Sequence, residues 1–512
     1  MIQSRLSPLT ANPGVGKSAA AARVVRPSSW LWIPYIWLFF TSTRALSTWL
    51  SGHAEGAGQV DYSGSAADSV LMTLLMLIGL FILNMRREQA MRILARNKWV
   101  VALFVVMVVS ILWSNFPAIT FRRSARSIGT LVMILVVLTE RSPQEALRVL
   151  LQRLYLVQIP FSIIAIKYFR AVGVIYGWDG VEEQWIGLST DKNSLGQVAM
   201  CSGVFWIWQL FRDWTRKDQK RDWKRIGLDV MMLILTLWLL RGSKNSHSST
   251  AILGFLVCTA LLIALQFIKN TSAQTKRIIL AMAIGATLLA PFAFLAFQSF
   301  NESPAQAVLE ATGRNMTLTD RTLLWTDVIN NAKKHPLLGV GYGAFWVGTI
   351  GYEMYPLPNW SAKTPWWRPE QGHNGFIDAY IDLGLVGVAL LLIITGIGFA
   401  DAWLNLQNDF QYGSLRMVLL LSIVMDNITE TSVLKGTHAF WFLFLLLAVK
   451  VPPAIRRARP KPAPFVKTEE PEAEAAALLS DSLESVKRSP ARDRNHAGIP
   501  LTMSFATRPV LP

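Results

Sequence analysis

The sequence is poor in charged residues and has almost no cysteine. Asp, Glu, Lys and Arg make up 16% of the 512 residues, whereas hydrophobic residues make up 52%. This balance excludes an ordinary soluble globular protein and predicts a polytopic membrane protein. The two cysteines, Cys201 and Cys258, lie in different apolar segments. They are interpreted as small buried hydrophobic residues rather than as a disulfide or a metal pair.

Acidic residues are scarcer than basic ones. The 33 Asp and Glu residues are outnumbered by 50 Lys and Arg, which gives a formal net charge of +17. Nucleic-acid binding could explain such a charge, but the basic residues occur in short clusters between apolar segments. The preference of Lys and Arg for cytoplasmic loops explains that pattern better, so no nucleic-acid partner is expected.

Several common signals are also missing. The GVGKS run at 14–18 has Ala11 where a phosphate-binding loop requires its first glycine, and no strand precedes it. Residues 1–29 lack a small-residue cleavage site after a short apolar core, so a polar cytoplasmic tail is predicted rather than a signal peptide. No strand alternation or fixed repeat is found, which argues against the common two-repeat transporter plan.

About twelve apolar runs approach the length that crosses a bilayer. They are residues 30–50, 69–84, 99–113, 127–138, 150–165, 195–211, 226–240, 250–268, 278–297, 383–400, 417–426 and 439–451. Nine of these helices fall in residues 30–298 and three in residues 383–451. Residues 452–512 are rich in Pro, Ala and mixed charge, which predicts a disordered cytoplasmic tail.

Basic residues accumulate in alternate loops and predict the orientation of the chain. The clusters at 86–98, 212–225 and 269–277 are expected in the cytoplasm, and both termini are expected on the same side. The long polar interval at 299–382 is then extracytoplasmic. A loop of this length between spans is usually functional.

Three arginines begin the fourth predicted span on its outer side: Arg122, Arg123 and Arg126. Arg122 and Arg126 share a helix face, and no acidic residue occurs between Ser114 and Thr139. An anion or a partner from elsewhere must therefore offset their charge. Snorkelling to lipid phosphates and a bound phosphate or diphosphate ligand are the two interpretations.

Two other outer segments carry polar candidates. Asp191, Lys192 and Asn193 stand in the run GLSTDKNSLG just before the sixth span, where Ser or Asp could simply cap the helix. Arg241 stands at the outer end of the seventh span, where an interface anchor is the alternative to a binding residue.

Within the long loop, residues 320–334 have helical spacing, with Leu324, Val328 and Ala332 on one face. Arg321 then falls in the first helical turn, where an anion rather than a cation is favoured. A negative partner is therefore expected beside Arg321, and Asp320 is the structural alternative to a bound anion.

The run GVGYG at 339–343 could present backbone N–H groups to phosphate, but a turn that returns the chain to the membrane is the simpler interpretation. Four tryptophans nearby could stack on sugar rings or anchor the loop at the interface. They are Trp346, Trp360, Trp366 and Trp367.

His373 and Asn374 stand at the end of the loop, just before the tenth predicted span. A histidine is well suited to act as a general base near neutral pH, and Asn374 could orient its ring or a sugar. A helix-capping or interface histidine is the alternative. Asp378 could add a polar contact or could simply face water.

The order of three runs, RTLLW, HPLLGVGYGAFW and HNGFIDAYIDLGLVG, resembles the signature region of the bacterial O-antigen ligase and O-antigen polymerase superfamily. The runs STRALSTWLSG, SNFPAITFRRSAR and WIGLSTDKNSLG resemble the exopolysaccharide-polymerase branch. The resemblance covers roughly residues 30–451.

This resemblance implies an all-α polytopic fold of the glycosyltransferase C-like class in the bacterial inner membrane, with one long extracytoplasmic catalytic loop at 299–382. It implies a metal-independent enzyme without cofactors that transfers a glycan from an undecaprenyl-diphosphate carrier to a sugar hydroxyl. The product would be exopolysaccharide or O-antigen, and the alternative is a ligase acting on lipid A core. The expected partners are the carrier-linked donor, the glycan acceptor, membrane lipid, and flippase and chain-length regulator proteins.

Matching by position, Arg321 and His373 correspond to the family's catalytic arginine and histidine, and Arg122 or Arg123 to its membrane-edge arginine. The expected substrate-binding residues are Arg122, Arg123, Arg126, Lys192, Asn193, Arg241 and Asn374. Two features depart from the family pattern. Asp191 stands where a histidine is frequent, and the tail beyond Val451 has no family counterpart.

A transporter or flippase for the lipid-linked sugar is the alternative of another class. It would need polar groups along a midplane cavity in both halves. The candidate charges instead concentrate at the outer face.

Overall fold

The structure is a computed structural model that describes residues 26–51, 65–177, 182–215, 221–243, 247–267, 321–365 and 368–451, with isolated positions between 269 and 285. The predicted tails at 1–29 and 452–512, the predicted ninth span at 278–297 and residues 299–320 of the long loop lie wholly or mostly outside these ranges. Trp366 and Trp367 also lie outside them.

The first half of the described chain contains eleven α-helices and one hairpin. In order, they are α1 (Trp32–Ser42), α2 (Leu46–Ser51), α3 (Ala66–Met85), α4 (Arg87–Arg96), α5 (Lys98–Val109), α6 (Pro117–Leu138), α7 (Pro143–Tyr168), α8 (Arg170–Gly173), β1 (Val174–Tyr176), β2 (Glu183–Trp185), α9 (Lys192–Thr215), α10 (Trp223–Arg241) and α11 (Ser249–Phe267). The strands are antiparallel, with Val174 opposite Trp185. The all-α expectation missed this hairpin because three-residue strands are too short to show alternation.

The second half contains six helices. They are α12 (Arg321–Ala332), α13 (Gly348–Met354), α14 (Pro358–Lys363), α15 (Gly375–Asn408), α16 (Phe410–Thr429) and α17 (Ala439–Ala448). The mostly helical fold expected from the sequence is therefore confirmed.

Four described helices are long and apolar enough to cross a membrane: α3, α7, α11 and α15. A fifth span results if α4 and α5, which meet at a bend of 89°, count as one. These helices are consistent with a polytopic membrane protein, while the count of about twelve spans stays a prediction. Both cysteines are buried and free, as expected.

Helices α16 and α17 lie in the middle of the main core. Every residue of α17 is buried, and α16 packs against α9, α11 and α15. A helix that is apolar all round is stable only where other helices surround it. The first half of the segment between α16 and α17, residues 430–434, is buried as well.

Helix α15 is interrupted at Gly384, whose φ of 65° is left-handed. At the break, Leu385 N donates to Pro336 O at 2.9 Å, and Val386 N donates to Leu337 O at 3.2 Å. A Cβ on Gly384 would lie 2.2 Å from the backbone of Leu337, so only glycine fits. The break coincides with the predicted start of the span at 383 and separates a short helical segment that begins at Gly375.

The GVGYG turn lies against this short helical segment. The backbone N–H groups of Val340, Gly341, Tyr342 and Gly343 donate to Ile381 O, Asp382 O, Ser110 Oγ and Asp382 Oδ2 at 2.9–3.0 Å. Because all four groups are occupied by protein acceptors, the phosphate-binding alternative is wrong, and the interpretation as a turn is confirmed.

A second, smaller core covers this region. Leu324, Val328 and Ala332 are fully buried in it, which confirms the predicted apolar face of α12. Trp346 and Trp360 belong to the same core and are only 7% and 4% exposed. Neither ring is therefore presented to a sugar or to the membrane interface.

Candidate active site

The carboxylate of Glu430 joins three predicted site residues that come from separate segments of the chain. Its Oε1 accepts hydrogen bonds from Arg321 Nη2 at 2.8 Å and from Asn193 Nδ2 at 2.9 Å. Its Oε2 lies 2.8 Å from His373 Nδ1. The Glu430 side chain is 6% exposed. We call these four residues the Glu430 cluster.

Arg321 is the first residue of α12, as the sequence predicted. Its Nη2 contacts Glu430, and its Nη1 donates to the carbonyl oxygen of Thr429. The expectation of a negative group beside this arginine is confirmed, and that group is Glu430. Asp320, the alternative partner, lies outside the described residues.

His373 adopts a φ of 50°, a conformation that a residue with a side chain rarely takes. The preceding residue is held from two sides. Gly372 N donates to both oxygens of Asp378 at 3.0–3.1 Å, and Gly372 O accepts from Trp325 Nε1 at 2.7 Å. Trp325 lies one turn beyond Arg321 on α12, so the same helix positions the arginine and the histidine.

Asp378 does not face water, so that alternative is wrong. The residue is 5% exposed and also accepts a hydrogen bond from Trp346 Nε1 at 3.1 Å. A buried carboxylate that accepts several N–H groups is a strong anchor for a loop. Asp378 therefore fixes the backbone that presents His373.

The contact with Glu430 determines which nitrogen of His373 carries the proton. A carboxylate accepts hydrogen bonds only, so Nδ1 must be the donor, and in the neutral form of the ring Nε2 keeps a lone pair. Within the described part of the chain, no hydrogen bond reaches Nε2. Burial alone would raise the pKa of Glu430. The positive charges of His373 and Arg321, together with the hydrogen bonds that both donate, outweigh burial and lower the pKa to about 2. Glu430 is thus a carboxylate at any physiological pH.

The segment from Glu430 to His438, which we call the Glu430 loop, supplies a second charged group. Lys435 Nζ donates to Gln371 Oε1 at 2.6 Å, and Gln371 Nε2 donates to Glu430 Oε2 at 3.3 Å. Burial lowers the pKa of Lys435. Lys435 is therefore connected to Glu430 through the side chain of Gln371.

The Glu430 loop is fastened to helix α6. Thr130 Oγ1 donates to Gly436 O at 3.0 Å, and Tyr342 OH donates to Leu434 O at 2.5 Å. The sequence interpretation missed this loop altogether. A signal was present, since Asp426 and Glu430 are ionisable residues at the end of an apolar helix, and such residues are functional candidates by default.

The three arginines of α6 take different positions. The helix begins at Pro117, ten residues before the predicted span, so all three lie on it. Arg123 donates from Nη1 to Gly343 O and from Nη2 to Trp346 O at 2.9 Å. Because Trp346 contacts Asp378, Arg123 is linked to the loop that carries His373. Arg122 is exposed and Arg126 is half-buried.

Asn193 joins the Glu430 cluster because the segment before α9 is held in place. Arg44, 4% exposed, donates to Ser189 O at 3.1 Å and to Gly187 O at 3.2 Å. Asp191 accepts the N–H of Asn193 at 2.9 Å. The interpretation of Asp191 as a helix cap is thereby confirmed.

The remaining predicted residues have other contacts. Lys192 pairs with Glu182 at 3.4 Å. The side chain of Asn374 caps α15 by accepting from Phe376 N at 3.0 Å and Ile377 N at 3.2 Å. Arg241 is exposed at the C-terminal end of α10. Lys192 and Asn374 thus contact neighbouring side-chain or backbone groups rather than Glu430.

The cluster combines an oriented imidazole with a guanidinium, which suits one type of chemistry. His373 Nε2 can accept a proton, and Arg321 can stabilise negative charge that develops nearby. Counting only contacts with described residues, Arg321 uses two of its five N–H donors, on Glu430 and Thr429, and three remain for another anion.

Comparison with known proteins agrees with the motifs. Residues 230–392 match the family described as O-antigen ligase. The chain is also 24% identical over 366 residues to the exopolysaccharide production protein ExoQ of Rhizobium meliloti (strain 1021), an alignment that covers 69% of this chain and 72% of that protein. The resemblance predicted from the sequence is confirmed. The family match contains Arg321 and His373 and ends before Glu430.

Proposed function

We propose that the protein transfers a glycan from an undecaprenyl-diphosphate carrier to a sugar hydroxyl at the outer face of the bacterial inner membrane. The likeness to an exopolysaccharide production protein favours a polymerase, and a ligase acting on lipid A core is the alternative. The proposal rests on one observation: His373 and Arg321 both contact the same buried carboxylate, that of Glu430.

In the proposed reaction, His373 Nε2 takes the proton of the acceptor hydroxyl as its oxygen attacks the anomeric carbon of the donor. The bond between that carbon and the phosphate oxygen breaks, and its electron pair leaves with the carrier diphosphate. The remaining N–H groups of Arg321 stabilise the charge on this leaving group. Charge-assisted hydrogen bonds of this kind act most strongly where water is excluded.

Glu430 supports both steps in the proposal. It keeps the proton of the neutral imidazole on Nδ1, and it stabilises the imidazolium that forms when Nε2 is protonated. It also holds Arg321 beside the histidine. Glu430 is therefore a positioning residue rather than a group that touches substrate.

The direct test incubates the purified protein with a labelled carrier-linked repeat unit. Growth of the glycan chain is expected, and it should continue in the presence of EDTA because arginines provide the positive charge. The transport alternative predicts movement of the labelled carrier across a liposome bilayer without chain growth. That outcome, or a strict requirement for a divalent ion, would contradict the proposal.

Replacing Arg321 with lysine is expected to lower transfer by about 10- to 100-fold. Lysine keeps the charge but loses the planar fork, and a hydrogen bond to a charged group contributes ~1.5–3 kcal/mol. The rate should be measured at equal membrane levels of the two proteins.

The double variant Arg122→Lys/Arg123→Lys tests the arginines of α6. Loss of transfer is expected, and thermal stability should also fall because Arg123 holds Gly343 and Trp346. If this variant and Arg321→Lys both transfer normally, the three arginines are only structural or interface anchors.

The proposed orientation places residues 299–382 outside and residues 212–225 and both termini in the cytoplasm. Alkaline phosphatase, which is active only outside the cytoplasm, should be active when fused after Trp346 and inactive when fused after Lys220. This orientation follows from the occurrence of Lys and Arg clusters in alternate loops. The reverse pattern of activity would overturn the orientation.

A further inference from the structure

Helix α4 forms a right-angled corner with α5, at 89°. Helix α5 is apolar along its length, whereas α4 carries three arginines and buries two small apolar positions, Ala90 and Ile93. A short basic amphipathic helix attached at a right angle to an apolar one lies along the membrane surface. The corner therefore sits at the level of the lipid headgroups.

A cavity of about 300 Å³ lies inside this corner, between α4, α5, the middle of α15 and the C-terminal end of α17. Its floor includes Val100, Ile394 and Ile397, which are apolar and belong to membrane-facing helices. Its rim includes Arg96, Lys98 and Lys450. The cavity thus has a cationic mouth and an apolar floor.

The corner is held rigid by Asn97, which is 7% exposed. Its Nδ2 donates to Ile93 O at 2.7 Å and to Lys450 O at 2.9 Å, and its Oδ1 accepts from Lys450 N at 2.9 Å. These bonds fix the end of α17 against the α4–α5 junction. The backbone positions from which Arg96, Lys98 and Lys450 extend are consequently fixed relative to one another.

Among the described residues, no negative charge compensates the rim. None of the residues that line the cavity is acidic. The single acid of α4, Glu88, pairs with Arg92 at 4.0 Å instead. Lys98 lies over the ring of Trp99 at 5.3 Å. Considering only the described ranges, no carboxylate pairs with Arg96, Lys98 or Lys450.

We propose that this cavity binds the headgroup of an anionic glycerophospholipid. The phosphate would contact the three rim cations, and the acyl chains would run along the apolar surfaces of α5 and α15. A volume of this size is at the lower end for ligand sites and holds a headgroup rather than a whole lipid. Basic pockets between membrane helices recognise such headgroups. The inference does not depend on the proposed function.

The test uses full-length protein, stripped of lipid in detergent and titrated with phosphatidylglycerol or phosphatidylcholine, with bound lipid counted by native mass spectrometry. Phosphatidylglycerol should bind at least about tenfold more tightly. Arg96→Gln/Lys98→Gln should weaken its binding by about 10- to 30-fold, since each basic residue near an anionic headgroup contributes roughly a factor of five. The matched control Arg87→Gln/Arg92→Gln removes the same charge from α4 outside the cavity and should change the affinity less than about twofold.

A second variant separates the cavity from its charge. Ile397→Trp keeps all three cations but fills the floor, and it should also abolish preferential binding of phosphatidylglycerol. Equal losses in the two double variants would indicate diffuse electrostatic attraction and overturn the proposal. Unchanged binding in Ile397→Trp, equal binding of the two lipids, or displacement by millimolar inorganic phosphate would overturn it as well.

Discussion

Replacing His373 with alanine is expected to lower the rate of glycan transfer by about 10²- to 10⁴-fold, the usual contribution of a general base. Donor binding should stay within about twofold, because Arg321 and Glu430 remain paired without the imidazole. Transfer should be measured by chain growth, and donor binding by equilibrium titration with the labelled carrier-linked repeat. A selective loss of rate would place His373 in the chemical step.

His335→Ala is a suitable control, since it removes an exposed histidine just after α12 whose hydrogen bonds to the described residues come from its backbone. Its transfer rate should equal that of the unmodified protein. If the His373→Ala variant keeps near-normal transfer, or loses donor binding in step with its rate, His373 belongs to binding or structure rather than to proton transfer.

The Glu430→Gln variant should lose transfer by about 10²-fold or more, up to the loss caused by His373→Ala. The amide has nearly the same shape, but it can donate to Nδ1 and so favour the wrong tautomer, and it cannot stabilise an imidazolium. Because Glu430 acts through His373, the double variant His373→Ala/Glu430→Gln should transfer no more slowly than His373→Ala alone. Fully multiplicative losses would show that the two residues act independently.

Glu430→Gln should also lower thermal stability, because it leaves Arg321 without its counter-charge in a mostly buried site. The pKa of Glu430 is lowered to about 2 from 4.5. The carboxylate therefore stabilises the fold above pH 4.5, and this contribution is lost as pH falls towards 2. The difference in melting temperature between the two proteins should be constant from pH 7 to 5 and shrink below that. Glu183→Gln, which alters a solvent-exposed pair with Arg170, should leave the transfer rate unchanged and shift the melting temperature much less at every pH, because water screens that pair.

Local patterns in the sequence predicted a large part of what the structure contains. Apolar composition and basic clusters identified a membrane protein, and helical spacing placed Arg321 at the start of α12 with Leu324, Val328 and Ala332 on its buried face. The position of Asp191 before an apolar run predicted its capping role. Each of these properties depends on interactions within one or two helical turns, so the sequence by itself determined them.

The partner of the catalytic candidates was decided only by the tertiary structure. Glu430 is 57 residues from His373, 109 from Arg321 and 237 from Asn193 along the chain. Local sequence patterns also do not indicate which groups the backbone of the GVGYG turn contacts, or that Asp378 is buried. These contacts arise because α16 packs among α9, α11 and α15, which brings the Glu430 loop against the segments that carry Arg321 and His373. Periodicity reports which face of a helix is apolar, but the neighbour that this face meets depends on how all the helices pack together.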